Sequence, residues 1–428
     1  MKQRLRSALL TLALGLALSV PASAGFDEGV AAHEGGDYAK ALLEISPLAK
    51  QGEAAAQFAL GVMYANGQGV TQDYQAAVAW FRKSAEQGNA LAQYNLGMAY
   101  SKGLGVAQDY QAAVAWFRKA AEQGNALAQY NLGLLYDNGQ GVAQDYQTAV
   151  AWYHKAAEQG NAFAQINLGA MYGSGQGVAQ DYQAAVSWLR KAAEQGHVSA
   201  QFFLGALYDN GQGVAQDYQA AVAWYRKAAE QGNALAQKNL SVMYYNGQGV
   251  AQDYQVAVAW LRKAAEQGNA DAQNKLGVMY ANGQGVAQDY QSAVSWLRKA
   301  AEQGLAVAQS NLGLMYFNGL GVAQDDQAAV DYYRKAAEQG NTDAQNNLGV
   351  MYRKGQGVTL DNVVAYALYN LSATNNPSSS NTAINNRIAL SEDMSPAQIE
   401  AALELTRRLQ AVGVTKALDA LSPQPSRK

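Results

Sequence analysis

The chain contains no cysteine. That excludes disulfides and thiolate metal sites, and it leaves no residue to carry a lipoprotein's lipid anchor. It is also compatible with an oxidising compartment. Histidine is almost as scarce, with His33, His154 and His197 making up the set. Each is read as a surface substitution without a companion ligand at metal spacing, so no metal site is expected. Charge is sparse: 15% of the 428 residues are charged, and the formal net charge is −3. A nucleic-acid binder would want a basic stripe, and none is offered. The apolar run Leu9 to Val20 is short for a comfortable membrane span.

That run has a second meaning. Lys2, Arg4 and Arg6 precede it, and Ala22-Ser23-Ala24 follows it. Basic start, apolar middle and small residues are the order of a secretory signal. Residues 1–24 are therefore expected to be removed near Ala24, with the mature chain periplasmic or secreted and free of a membrane span.

What the sequence has in abundance is repetition. An Asp recurs at Asp73, Asp109, Asp145, Asp181, Asp217, Asp253, Asp289, Asp325 and Asp361, always 36 residues apart. A Trp stands seven residues after each, from Trp80 to Trp296, and Tyr332 and Leu368 take its place in the last two copies. A fixed period of this size marks a solenoid, whose units hide their apolar faces only against neighbours.

One copy, Asn89 to Gly124, shows the shape. Ala92, Leu96 and Tyr100 lie four apart and predict a helix over about 89–101. Gly97 within it has a helix cost of about 1 kcal/mol and implies close approach of a partner helix. Gly103 and Gly105 predict a turn with positive φ. Asp109 is placed to cap a second helix, and Gly124 to stop it. Each copy is thus expected to be two antiparallel helices.

These residues resemble the Sel1-like repeat, a relative of the tetratricopeptide repeat. The match rests on Ala92, Gln93, Leu96, Gly97, Tyr100, the Gly103/Gly105/Val106 turn, Asp109, Tyr110, Ala113, Trp116, Ala120 and Gly124. The resemblance implies an all-α fold, a right-handed α/α superhelix of nine 36-residue helix-turn-helix repeats with end caps. The expected layout is a signal in 1–24, a capping helix pair in 25–52, repeats over 53–376, and closing helices with a tail in 377–428. One closing helix is expected near Thr382 to Leu390. A second is expected from Ser395-Pro396, with Gln398 completing a capping box, to about Gln410.

No copy departs from the others in a way that builds a catalytic pair. The Gly-rich turns lack the Lys-Ser/Thr of a phosphate loop and join two helices. The repeated Asp residues read as caps, and the Trp row reads as packing. No cofactor or catalytic residue is expected. A hydrolase acting on cell-wall or β-lactam substrates, as proposed for some secreted relatives, is the alternative. It would need a nucleophile and base that the residues do not supply. A glycan-binding module using exposed aromatics is a third possibility.

The remaining signal is a stripe on the first helices. Positions equivalent to 91, 94, 98 and 101 vary most, and their spacing puts them together on one side. In the related tetratricopeptide family the matching stripe lines the concave wall and contacts peptides, and the resemblance implies the same use here. Early copies are apolar on it: Phe58, Leu91, Tyr94, Leu127, Tyr130, Phe163, Ile166 and Phe202. Later copies carry Lys238, Asn274, Ser310 and Asn346 at the position of Tyr94. Two outcomes are open. The aromatics either form an exposed wall for a protein segment, or they pack between adjacent first helices. The expected function is an exported, non-enzymatic scaffold or adaptor of the bacterial cell envelope that binds a protein partner.

Overall fold

The computed structural model describes residues 24–421. The expected signal segment before Ala24 and the tail from Ser422 onward lie outside the described residues. Among the described residues the chain forms twenty-three helices and no strand. Helices α1 (Ala24–Glu34) and α2 (Tyr38–Gln51) come first. Pairs follow: α3 and α4 (Ala54–Asn66, Tyr74–Glu86), α5 and α6 (Ala90–Lys102, Tyr110–Glu122), α7 and α8 (Ala126–Asn138, Tyr146–Glu158), α9 and α10 (Ala162–Ser174, Tyr182–Glu194). Next are α11 (Val198–Asn210) and α12 (Tyr218–Glu230), then α13 and α14 (Ala234–Asn246, Tyr254–Glu266). The last pairs are α15 and α16 (Ala270–Asn282, Tyr290–Glu302), α17 and α18 (Ala306–Asn318, Asp326–Glu338), and α19 and α20 (Thr342–Lys354, Asn362–Asn375). The chain closes with α21 (Thr382–Ser391), α22 (Pro396–Val412) and α23 (Val414–Asp419). Two compact units meet in sequence between Gln216 and Asp217, so α11 belongs to the first and α12 to the second.

Within each unit the architecture is a stack of helix pairs, as a solenoid requires. The two helices of a repeat pack on each other, and the second helix packs on the first helix of the next repeat. The caps fall where the sequence puts them. The Asn89 side chain accepts from Ala92 N, and the Asp109 side chain accepts from Ala112 N. Each satisfies a free N–H of its first turn. Gly124, with φ 91°, lies one residue past the cap position Gln123 and turns the chain out of the helix.

Two glycines do more than turn the chain. A β-carbon on Gly97 would sit 2.7 Å from the Phe117 ring, so glycine lets the second helix press its aromatic onto the first. A β-carbon on Gly105 would sit 2.2 Å from the backbone oxygen of Tyr74 in the preceding repeat. The loop therefore rests directly on the start of the previous second helix.

Polar ties recur at the junctions. Gln93, buried in α5, donates its amide to the Ala85 carbonyl of the previous repeat (3.1 Å). Its oxygen accepts from Gln123 of its own repeat (2.7 Å). The same clamp is built by Gln57, Gln129, Gln165, Gln273 and Gln309. On the opposite side, Arg82 donates to the Tyr100 hydroxyl one repeat on (2.7 Å), and Arg118, Arg190, Arg226, Arg262 and Arg298 do likewise. That Arg position, which His154 takes in the third copy, thus has a partner across the junction.

The C-terminal end adds one element to the expected pair. The capping box of Ser395 and Gln398 is present, and α22 runs on to Val412. Gly413, φ 90°, then breaks the helix, and α23 returns to the eighth repeat. There Thr415 N donates to Glu338 (2.7 Å) and Arg334 pairs with Asp419 (3.0 Å). Val414, Ala417 and Leu418 are buried by this return. The second helix of the last repeat, α20, lost its polar ending in sequence for the same reason. It is covered by both α21 and α22, and Val364, Leu368, Tyr369 and Leu371 are all buried.

Candidate functional site

The first helices carry the predicted stripe, and the structure divides it by depth. Phe58 and Tyr94 are buried. They lie on the second helix of their own repeat, Phe58 against Phe81 and Tyr94 against Phe117, with ring centroids 5.9 Å apart in both. This corrects the exposed-wall picture for those two side chains. The glycine that admits Phe117 toward α5 also brings its ring under Tyr94. Burial pushes the Tyr94 phenol up to about 12.

Tyr130, Ile166, Phe202 and Leu91 are half-buried. Tyr130 packs down on Tyr153 (5.9 Å) and sideways on Phe163 of the next first helix (6.0 Å). Burial raises the Tyr130 phenol. The Tyr153 phenol is raised further, by burial and then by the Asp137 carboxylate that accepts from its hydroxyl at 3.1 Å. Leu127 and Phe163 reach solvent, at 38% and 56% exposure. Packing between first helices and exposure thus both occur, at different positions of one stripe.

The stripe reading missed Phe203. It is 45% exposed and touches Phe202 with ring centroids 5.5 Å apart. Its signal was available: the equivalent places hold Ala59, Asn95, Asn131, Asn167 and Asn239. In the first unit, Leu127, Phe163 and Phe203 are the exposed apolar side chains on the first helices of repeats three to five.

The other candidates resolve as follows. The Trp row is half-buried rather than fully core, and Trp116 and Trp152 pack against the core of the preceding repeat. A lysine three residues on covers each ring, 4.2 Å from Trp116 and 4.0 Å from Trp188. His154 does have a carboxylate one turn on, since Glu158 lies 3.4 Å from its Nδ1. It also meets Trp188 edge-on at 5.4 Å. His33 bonds Gln68 at 2.9 Å, and His197 lies edge-on to Phe163 at 5.1 Å. Among the described residues no group of three His, Cys, Asp or Glu side chains is arranged to hold a metal ion. No described helix is long and apolar enough to cross a membrane.

The unit that generates this stripe is matched nine times by the model of the Sel1 repeat, over residues 54–89, 90–125, 126–161, 162–197, 198–233, 234–269, 270–305, 306–341 and 342–377. The chain belongs to the Sel1 repeat family. Among solved Sel1 repeat structures it is similar to a protective antigen present in uropathogenic Escherichia coli strains displaying an SLR fold. Identity there is 35%, the TM-score is 0.64, and the alignment covers 94% of this chain and 95% of that one. It is also similar to a Sel1 repeat protein from Oxalobacter formigenes, at 36% identity and a TM-score of 0.58 over 73% of this chain and 91% of that one. A comparison with curated protein sequences gives no match. Sel1 repeat solenoids are commonly scaffolds for protein–protein interaction.

Proposed function

We propose that this chain is an exported, non-enzymatic scaffold of the bacterial cell envelope that holds a segment of a partner protein on the first helices of its repeats. The observation that carries the reading is the exposed apolar run of repeats three to five, Leu127, Phe163 and Phe203, bedded on half-buried Tyr130, Ile166 and Phe202. The lower layer is partly covered, while the upper layer is left open to water, as at an interaction site. The basic start, apolar run and Ala22-Ser23-Ala24 of the N-terminus support export.

The test places a photo-crosslinking amino acid at position 163 in cells that secrete the chain. A crosslinked partner is expected in the envelope fraction. The triple variant Leu127→Ser, Phe163→Ser, Phe203→Ser changes only exposed side chains, so it should fold as the wild type does. With a crosslinker placed at Leu91 as reporter, it should lose the partner. Undiminished crosslinking in the folded variant, or a chain confined to the cytoplasm, defeats the reading.

A further inference from the structure

In repeats one to three a ring on the first helix lies on a ring of the second, at 5.9 Å in each case. Repeats six and seven have lost both members of that pair. Lys238 and Asn274 take the first place, and Leu261 and Leu297 take the second. Two aromatic volumes are replaced by smaller or outward-reaching side chains, and packing does not close the gap.

The missing volume is a cavity of about 400 Å³ between α13, α14, α15 and α17, all within the second unit. Its size falls within the range of small-molecule sites. The floor is Ala257, Leu261 and Met279, each buried. The wall carries Asn274, Asn311 and Lys275. Ser241, in the place that is glycine in the other repeats, also faces it and gives its hydroxyl to the Lys238 carbonyl at 2.6 Å.

The polar wall is not self-satisfied. Asn274 is 9% exposed, and its oxygen accepts from Asn311 at 2.9 Å. Its own amide N–H groups make no hydrogen bond among the described residues and are not sealed from the cavity, so they are available to a ligand there. Lys275 is the one charged side chain among the described lining residues, and no carboxylate lines the space. Burial, and then the neighbouring Lys238 ammonium, hold Lys275 below its usual range, and Asp271 offsets this only in part. An anion at the wall would answer the ammonium and the free amide together.

We propose that this cavity binds a small amphipathic monocarboxylate. The carboxylate accepts from Lys275 and the Asn274 amide, and the apolar body covers Ala257, Leu261 and Met279. Nothing in this site draws on the apolar stripe of repeats three to five, so the two proposals stand or fall separately.

Decanoate is the probe, titrated below its micellar range into the full chain and followed by calorimetry, with decanol as the uncharged control. One decanoate per chain is expected, with decanol at least tenfold weaker. Asn274→Phe returns an aromatic to the place that Tyr94 and Tyr130 occupy, and should abolish binding while the circular dichroism melt is kept. Lys275→Glu reverses the one charge among the described lining residues and should weaken decanoate at least tenfold. Three results overturn the proposal: no decanoate binding, undiminished binding by folded Asn274→Phe, or decanol binding as tightly as decanoate.

Discussion

At the scale of single residues, the stack depends on polar side chains placed where periodicity looks for apolar ones. Gln165 is 3% exposed, donates to the Ala157 carbonyl of the previous repeat at 3.1 Å, and accepts from Gln195 at 2.9 Å. Replacing it by Leu keeps the bulk but strands a carbonyl and an amide at a junction. Gln165→Leu is therefore expected to lower stability by about 1–3 kcal/mol. Gln195→Ala removes an exposed donor and should lower it by less than about 1 kcal/mol. Urea unfolding of the two variants checks the order, and equal effects would mean that the buried clamp is not what holds the junction. The sequence marked Gln93 and its equivalents as recurrent, yet it gave no reason to bury them. Recurrence alone does not tell a buried amide from a solvated one. Only the placement of Ala85 O beside the amide does so.

At the scale of the helix pair, most of the design was readable. Asn89, Asp109 and Gly103 carry their capping and turning roles in their residue types, and the helices begin and end within a residue or two of expectation. The second glycine of the turn is legible in sequence only as part of a positive-φ turn, because its further reason lies one repeat away. Gly105 and Gly124 both have positive φ, 72° and 91°. A β-carbon on Gly124 meets nothing within 4 Å, whereas on Gly105 it would collide with the Tyr74 backbone. Gly124→Ala should thus show only the backbone penalty, about 1–2 kcal/mol. Gly105→Ala should lose more, because a helix start must move as well. Denaturation midpoints for the two variants test this. A smaller loss at Gly105 would show that the loop does not bear on the previous helix. The closing helix α23 was illegible for a related reason: its six residues have no period to read, and what holds it is burial of Val414, Ala417 and Leu418 with side chains some eighty positions earlier, Glu338 and Arg334 adding polar partners there.

At the scale of the whole molecule, nine copies made the fold legible, since each departure could be judged against eight neighbours. The candidate site was legible only in part. Its positions could be picked from their variation, but Tyr94 and Phe163 look alike in sequence and end up buried and exposed respectively. Helical spacing fixes direction but not depth: Tyr94 and Tyr130 share one repeat position and each lies on a ring at 5.9 Å, yet one is buried and the other half-buried. That buried aromatic layer also gives the molecule a pH limit. Burial pushes the phenols of Tyr94 and Tyr369 up to about 12 from an ordinary 10.0, and those of Tyr153 and Tyr333 higher still. The unfolded chain releases these protons near pH 10, while the folded chain keeps them. Between pH 10 and 12 the unfolded state therefore binds fewer protons, and stability that is complete below pH 10 is lost as pH rises. Tyr94 alone should account for about 1.4 kcal/mol of that loss at pH 11. Urea midpoints are expected to hold level up to about pH 9 and then fall steeply. Tyr94→Phe keeps the ring on Phe117 and removes the proton, so the variant should fall less steeply over the same range. An identical alkaline profile for the two proteins would mean that the Tyr94 hydroxyl stays open to water and that the first-helix ring is not sealed against its partner.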